Sequence, residues 1–183
     1  MSIKRWIRSA SREVAHFDTV VEQRIDSWRG RPELDRMMYA ASELGDFSLI
    51  WHLLSGARAL APDRSAKHAV RMALILGAES LVVNQVVKSA IGRHRPPWEQ
   101  ERPLRLRRPR TSSFPSGHAS SAATAVGVLS QADPLWPLYA AVGVVVATSR
   151  VYVKVHHPSD VVAGALLGAG LAVLARRVWP FEE

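Results

Sequence analysis

A chain of 183 residues without a cysteine forms neither disulfides nor thiolate metal sites, and it is long enough for one domain but short for two. Its formal net charge of +8, carried mostly by arginine, calls for anionic partners: nucleic acid, anionic headgroups or phosphorylated substrates. The opening stretch MSIKRWIRSASREVAHFD is charged but has no apolar run, so no cleaved signal peptide is expected.

Residues 13–28 place Val14, Phe17, Val21, Ile25 and Trp28 at helical spacing with Glu, Asp and Arg between them, which predicts an amphipathic helix on the membrane surface or against a bundle, ended by Gly30 and Pro32. Residues 37–60 form an apolar run interrupted by polar residues and are expected to fold as one further helix. Residues 69–91 are long enough to cross a bilayer at about 1.5 Å per residue, with Arg71, Glu79 and Lys88 as the only charges. A loop follows at 93–110, with four prolines, seven arginines and two acids. Its Arg102, Arg105, Arg107, Arg108 and Arg110 read as solvated, headgroup-facing charges, and Trp98 with the two prolines before it is placed at the entrance of any site nearby. Further apolar helices are expected at 118–131, 135–151 and 158–178, the last rich in Gly and Ala, as in helices that pack closely inside membranes. A mean hydropathy of −0.01 conceals this clustering. The pattern predicts an all-α, polytopic transmembrane bundle of about five membrane helices plus the N-terminal amphipathic helix, forming a single domain over 1–183.

Three short stretches carry chemistry. In KSAIGRHRP, Lys88 and Arg95 bracket the end of the long helix, where Lys88 can snorkel to the membrane edge. In FPSGH, Pro115 sets a turn and Gly117 opens a helix whose free N–H groups make an anion site, with the Ser116 hydroxyl alongside and His118 in the first turn. In SRVYVKVHHPSD, Arg150 ends one helix, Pro158 starts the next, and Asp160 follows His156 by four residues, close enough to hold one imidazole nitrogen. A metal site from His156, His157 and Asp160 is the other use of that stretch. Helix directions bring all three stretches to one membrane face. Three cations, a helix N-terminus and two histidines then surround one volume suited to phosphate, with nucleophile and acid available and no call for a metal or other cofactor.

In order and spacing these stretches match the three-part signature of the type-2 phosphatidic acid phosphatase superfamily, which also contains vanadium haloperoxidases and glucose-6-phosphatase. The matching positions are Lys88, Arg95 and Pro96; Pro115 to His118; and Ser149, Arg150, His156 and Asp160. The resemblance covers roughly residues 70–178 and implies a residue-by-residue assignment. His156 is then the nucleophile, forming a phosphohistidine, and Asp160 orients it. Lys88, Arg95, Arg150, Ser116 and the Gly117 backbone bind phosphoryl oxygens, and His118 protonates the leaving group. Membrane members of the family usually have six spans, so the amphipathic segment stands where a first span would be.

The expected function is hydrolysis of a phosphomonoester or diphosphate of a phospholipid or polyprenyl lipid in the cell membrane, with membrane lipids as surroundings. A vanadate-dependent peroxidase fits the same cradle, but those relatives are large and soluble. A phospholipid-binding or transport protein needs only the cations, not His118, His156 and Asp160. Nucleic-acid binding is excluded because the arginines sit at helix joints without interleaved aromatics. Substrate identity, membrane orientation and oligomeric state stay open at this level.

Overall fold

The computed structural model describes residues 3–61, 66–98, 102–107, 109, 111–131 and 133–180. Among them all regular structure is helical: α1 (Ile3–Asp26), α2 (Pro32–Leu44), α3 (Leu49–Ala59), α4 (Ala66–Ala90), α5 (Gly117–Leu129), α6 (Trp136–Tyr152) and α7 (Pro158–Val178). The all-α expectation therefore holds. Arg108 and Arg110 lie outside the described residues.

Two of these helices, α4 and α7, are long and apolar enough to cross a membrane. In α4 the last two turns widen into a π-helical stretch, Val82–Val87, immediately before Lys88. Helix α5, only 13 residues long, is the central element. Its small residues Ala119, Ser120, Ala122, Thr124 and Ala125 are all buried. It lies close against α7 because α7 presents small residues four apart: a Cβ on Gly168 would run into the Ser120 carbonyl, and one on Gly127 would stand 2.6 Å from the Ala172 methyl. Such close backbone approach is the packing mode open to helices that gain no hydrophobic drive from their surroundings. The Thr124 hydroxyl donates to the Gly168 carbonyl across this contact at 3.1 Å. Around it Trp51, Met72, Leu76, Ala125, Val128 and Val146 form the main core.

The single helix expected over 37–60 does not form. Helix α2 stops at Leu44, a short 3₁₀ turn covers Asp46–Ser48, and α3 starts at Leu49. Phe47 and Ser48 adopt left-handed backbone angles, φ 53° and 59°, which no continuous helix accommodates. The signal was Gly45-Asp46 in the middle of the apolar run, a glycine followed by a charge. At the N-terminus the helix is longer than expected and ends at Asp26. The chain then turns through Gly30, at φ 81°, and Pro32 begins α2 instead of closing α1.

Helix α1 lies against the bundle. Its Val21 and Ile25 join a second core of Met38, Tyr39, Val151, Tyr152, Val153 and Val155, directly beneath the turn between α6 and α7. Arg29, just past α1, donates to the carbonyls of Tyr152 at 2.7 Å and Val151 at 3.0 Å. The segment 151–157 is thus fixed from below by apolar packing and from the side by hydrogen bonds.

Candidate active site

A cavity of about 440 Å³ opens where α4 ends, α5 begins and the α6–α7 turn passes. Lys88, Arg95, Gly117, His118, Arg150 and His156 line it, so six of the eight residues singled out from the sequence converge on one space. The other two stand just behind the wall. Asp160 lies behind His156. Ser116, fully buried, is the N-cap of α5 and accepts from Ala119 N at 3.4 Å, so its hydroxyl is engaged in capping and not turned to the cavity.

His156 is 2 % exposed, in the turn before α7. Its Nε2 lies 3.4 Å from Arg95 Nη1, and its Nδ1 lies 3.7 Å from Asp160 Oδ2. A guanidinium only donates, so Nε2 carries the lone pair and the proton resides on Nδ1, facing the carboxylate. Desolvation by burial pushes the His156 pKa down to about 3, outweighing the carboxylate, with Arg150 and Arg95 adding to the effect. The imidazole is therefore neutral at ordinary pH, with its free nitrogen toward the cations.

Arg95 is held by three carbonyls: Val155 at 2.7 Å, Ser112 at 3.1 Å and Thr111 at 3.2 Å. The extended segment after α4 and the turn before α5 are also joined by Ser113 N donating to Arg93 O at 3.0 Å. That turn contains a cis Phe114–Pro115 bond. Arg150 is 1 % exposed. Its Nη1 donates to the Ser42 hydroxyl, and its Nε has no partner among the described residues. A buried N–H of a charged group calls for an acceptor, and an anion in the cavity supplies one. Lys88 Nζ and Asn84 Oδ1 each lie 3.5 Å from where a Cβ on Gly117 would stand, so the ammonium sits beside the first residue of α5. Free backbone N–H groups and the positive end of the α5 dipole thus share the space with three cationic side chains.

His118 reaches the cavity because Gly45 lacks a side chain: a Cβ there would collide with the imidazole Cδ2. His118 Nε2 lies 3.0 Å from the Ser42 carbonyl and 3.2 Å from Asp46 Oδ1. Both partners accept, which places a proton on Nε2 and leaves Nδ1 for the cavity. Asp46 and Gly45 were not singled out from the sequence, since the break between α2 and α3 that presents them was read as helix.

Arg102, Trp98 and Arg107 depart from their expected places. Arg102 stacks on Trp98 at 4.3 Å and donates to the Val153 carbonyl at 2.7 Å, so it packs against the turn below the site instead of facing solvent. Trp98 is engaged by Arg102, Arg29 and Lys154 and does not line the cavity. The loop contributes Arg107, Pro109 and Thr111 to the wall instead, with Arg107 over the Phe47 ring at 4.9 Å. His157 turns away to Glu22, at 2.8 Å, so it does not join His156 and Asp160 around a common point. Among the described residues no group of three or more His, Asp or Glu side chains is placed to share a metal ion.

Residues 68–182 match the PAP2 superfamily. The chain is 29% identical over 174 residues to the decaprenylphosphoryl-5-phosphoribose phosphatase of Mycobacterium tuberculosis, covering 93% of each protein. It is 34% identical over 135 residues to the enzyme of the same name from Mycolicibacterium smegmatis, covering 74% and 73%. An undecaprenyl-diphosphatase of Sulfolobus acidocaldarius is 36% identical over 103 residues, 54% of this chain and half the length of that protein. Among solved structures, the transmembrane PAP2-type phosphatidylglycerolphosphate phosphatase of Bacillus subtilis superposes with a TM-score of 0.68 at 25% identity, covering 91% of this chain and 86% of that one. Aquifex aeolicus LpxE has the same fold, with a TM-score of 0.68 at 23% identity and coverage of 87% and 94%. The chain belongs to the PAP2 superfamily and is a phosphatase of that family.

Proposed function

We propose that this integral-membrane enzyme removes phosphate from a polyprenyl-linked phosphate or diphosphate through a phosphohistidine on His156, without a metal. The observation that carries the reading is the pose of His156: neutral, proton toward Asp160, free Nε2 beside Arg95 in a cavity shared with Arg150 and Lys88. In the first step Nε2 attacks phosphorus, the bond from phosphorus to the leaving oxygen breaks, and protonated His118 donates to that oxygen from Nδ1. Asp160 stabilises the positive charge that develops on His156. In the second step a water attacks the phosphohistidine and gives its proton to His118. The P–N bond then breaks and inorganic phosphate leaves. Lys88, Arg95, Arg150 and the α5 N-terminus hold the non-bridging oxygens throughout, matching charge that the transition state spreads over them. Ser116 acts by capping α5, which keeps the Gly117 end of the helix open toward the anion.

Five helices, α3 to α7, run between the two faces in this reading. The α3 end is tied to the α5–α6 joint by Arg58 Nε donating to Asp133 Oδ2 at 2.7 Å, on the side opposite the cavity. Helices α1 and α2 lie on the active-site face. An apolar groove of about 400 Å³ between α4 and α7, lined by Leu74, Ile75, Val82, Leu171 and Leu174, meets the polar cavity at Glu79, which borders both. A lipid chain in that groove would bring its phosphate within reach of Lys88. The polyprenyl preference rests on the mycobacterial relatives, whose alignment runs nearly the full length of both proteins.

Detergent-purified protein, assayed for phosphate release in excess EDTA, tests this reading. The panel is a polyprenyl-phosphoryl pentose phosphate, undecaprenyl diphosphate, phosphatidylglycerophosphate and phosphatidate. Release from the polyprenyl substrates, lost in His156→Ala, is expected. Release that requires a divalent ion, or none from any lipid, would overturn it.

A further inference from the structure

We propose that α1 is part of the catalytic apparatus: Asp18 acts through Arg93 as a positioning pair that fixes Asp160, and with it the pose of His156. The inference rests on the phosphohistidine reading above and adds to it two residues that lie outside the cavity.

Arg93 stands in the same arginine-rich stretch as Arg95, yet it does not line the cavity. It is turned the other way. Its Nη1 donates to Asp160 Oδ1 at 2.5 Å and to the Ser159 hydroxyl at 2.8 Å, and its Nη2 donates to Asp18 Oδ2 at 2.7 Å. Asp160 Oδ2 accepts from His157 N at 2.9 Å. Both oxygens of Asp160 are therefore tied, and Oδ2 can meet His156 Nδ1 only from the position these bonds allow.

Asp18 is 5 % exposed and spends both oxygens on the same place. Oδ1 accepts from Ser159 N, and Oδ2 from the Ser159 hydroxyl, each at 2.8 Å. A carboxylate from α1 thus satisfies a free N–H in the first turn of α7, the end of a helix where negative charge is favoured. Two carboxylates share one guanidinium, which offsets one of the two negative charges, while the His157 and Ser159 N–H groups at the start of α7 stabilise the remainder. Arg93 without Asp18 keeps one fork of its two-sided grip; Asp18 without Arg93 is a buried charge short of its cation.

Asp18 does not stand alone on α1. Glu22 reaches His157 at 2.8 Å, and Asp26 reaches Lys154 at 3.5 Å. Acids at 18, 22 and 26, four residues apart on one helix face, engage successive parts of the 154–159 turn that carries His156. With Val21 and Ile25 packed beneath Val153 and Val155, α1 grips that turn along its length.

The test is steady-state kinetics of Asp18→Ala, Asp18→Asn, Arg93→Met, Arg93→Lys and the Asp18→Ala/Arg93→Met double variant on the best lipid substrate, with inorganic phosphate as a competitive inhibitor. Positioning predicts that kcat falls about tenfold in Asp18→Ala and about 10²-fold in Arg93→Met, while the phosphate inhibition constant moves less than about twofold. Arg93→Lys recovers part of the loss because it keeps the charge but not the fork. The double variant is no slower than Arg93→Met alone, since both changes remove one linkage. Asp18→Asn keeps the shape of the cap, so it reports on charge if Asp18→Ala melts early or elutes as aggregate. Asp18 variants with kcat within twofold of wild type, multiplying effects in the double variant, or a phosphate constant that rises with loss of Arg93 would each overturn the inference. Wild-type turnover in the same assay separates this failure from failure of the phosphatase reading itself.

Discussion

His156 Nδ1 lies 3.7 Å from Asp160 Oδ2, beyond an ordinary hydrogen bond, while the imidazole Nε2 faces Arg95 at 3.4 Å. The carboxylate is near enough to keep the Nδ1 proton turned toward it and to stabilise positive charge on the ring. Contraction of this gap as phosphorus–nitrogen bonding develops would strengthen the pair in the transition state more than in the ground state, which is the condition for catalysis.

His156→Ala should abolish turnover of every substrate, a loss of at least about 10³-fold, because it removes the imidazole whose free nitrogen faces Arg95 in the cavity. Arg105→Ala should change kcat/KM less than about tenfold, as that side chain is exposed and does not border the cavity. Phosphate release by the two variants side by side checks both; equal losses would show that Arg105 does more than sit in solvent.

Gly45→Ala is a sharper test of His118. Gly45 has φ −76°, an angle any residue adopts, so the backbone tolerates alanine. The new methyl would strike the imidazole of His118, which must tilt or withdraw. A fall in kcat of about 10²-fold is expected, with stability lowered only by the overpacking against His118 and Val146, about 1–3 kcal/mol. Full activity would mean that the ring position seen here is not the working one.

Asp46→Asn separates protonation from binding. Asp46 sits 3.2 Å from His118 Nε2 and favours the imidazolium that donates to the leaving oxygen. Loss of that charge should slow release of a poor leaving group, such as a pentose alcohol, by about 10². An activated leaving group, such as p-nitrophenolate, needs little protonation and should be affected only a few-fold. Paired assays on a natural lipid and p-nitrophenyl phosphate read this ratio, and equal effects on both would contradict the acid role.

The His156 pKa, lowered from 6.5 to about 3 by burial, also makes a stability prediction. The folded state binds a proton at His156 less readily than the unfolded chain does, so its contribution is present above pH 6.5 and is lost as pH falls toward 3. Melting temperature should therefore drop more steeply between pH 6.5 and 4.5 in wild type than in His156→Gln. Parallel slopes would show that the histidine is not held neutral by the fold.

Much of the site was legible because helix punctuation and chemistry coincide in it. Lys88 and Arg95 close α4, Gly117 and His118 open α5, Arg150 ends α6 and Asp160 sits in the first turn of α7, so the direction of each helix fixed the face on which they meet. What escaped reading was whatever depends on contacts distant along the chain. The match to the family signature marked Arg95 but gave Arg93, two residues earlier, no role; only the fold turns one toward His156 and the other toward Asp18. Asp18 looked like one of the polar residues of an amphipathic helix, although acids at 18, 22 and 26 with four-residue spacing were a usable sign of a docking face. The hydroxyl of Ser116 can cap a helix or bind an anion from the same position, and the cap prevails here because the hydroxyl is buried against Ala119 N.

The most direct measurement is a search for the covalent intermediate. Enzyme mixed with substrate carrying a ³²P-labelled terminal phosphate is quenched in alkali within the first turnovers. A phosphohistidine predicts protein-bound label that survives alkali, is released by acid and is absent from His156→Ala. Turnover without any protein-bound label under conditions where hydrolysis of the intermediate is slow, or label that persists in His156→Ala, would contradict it.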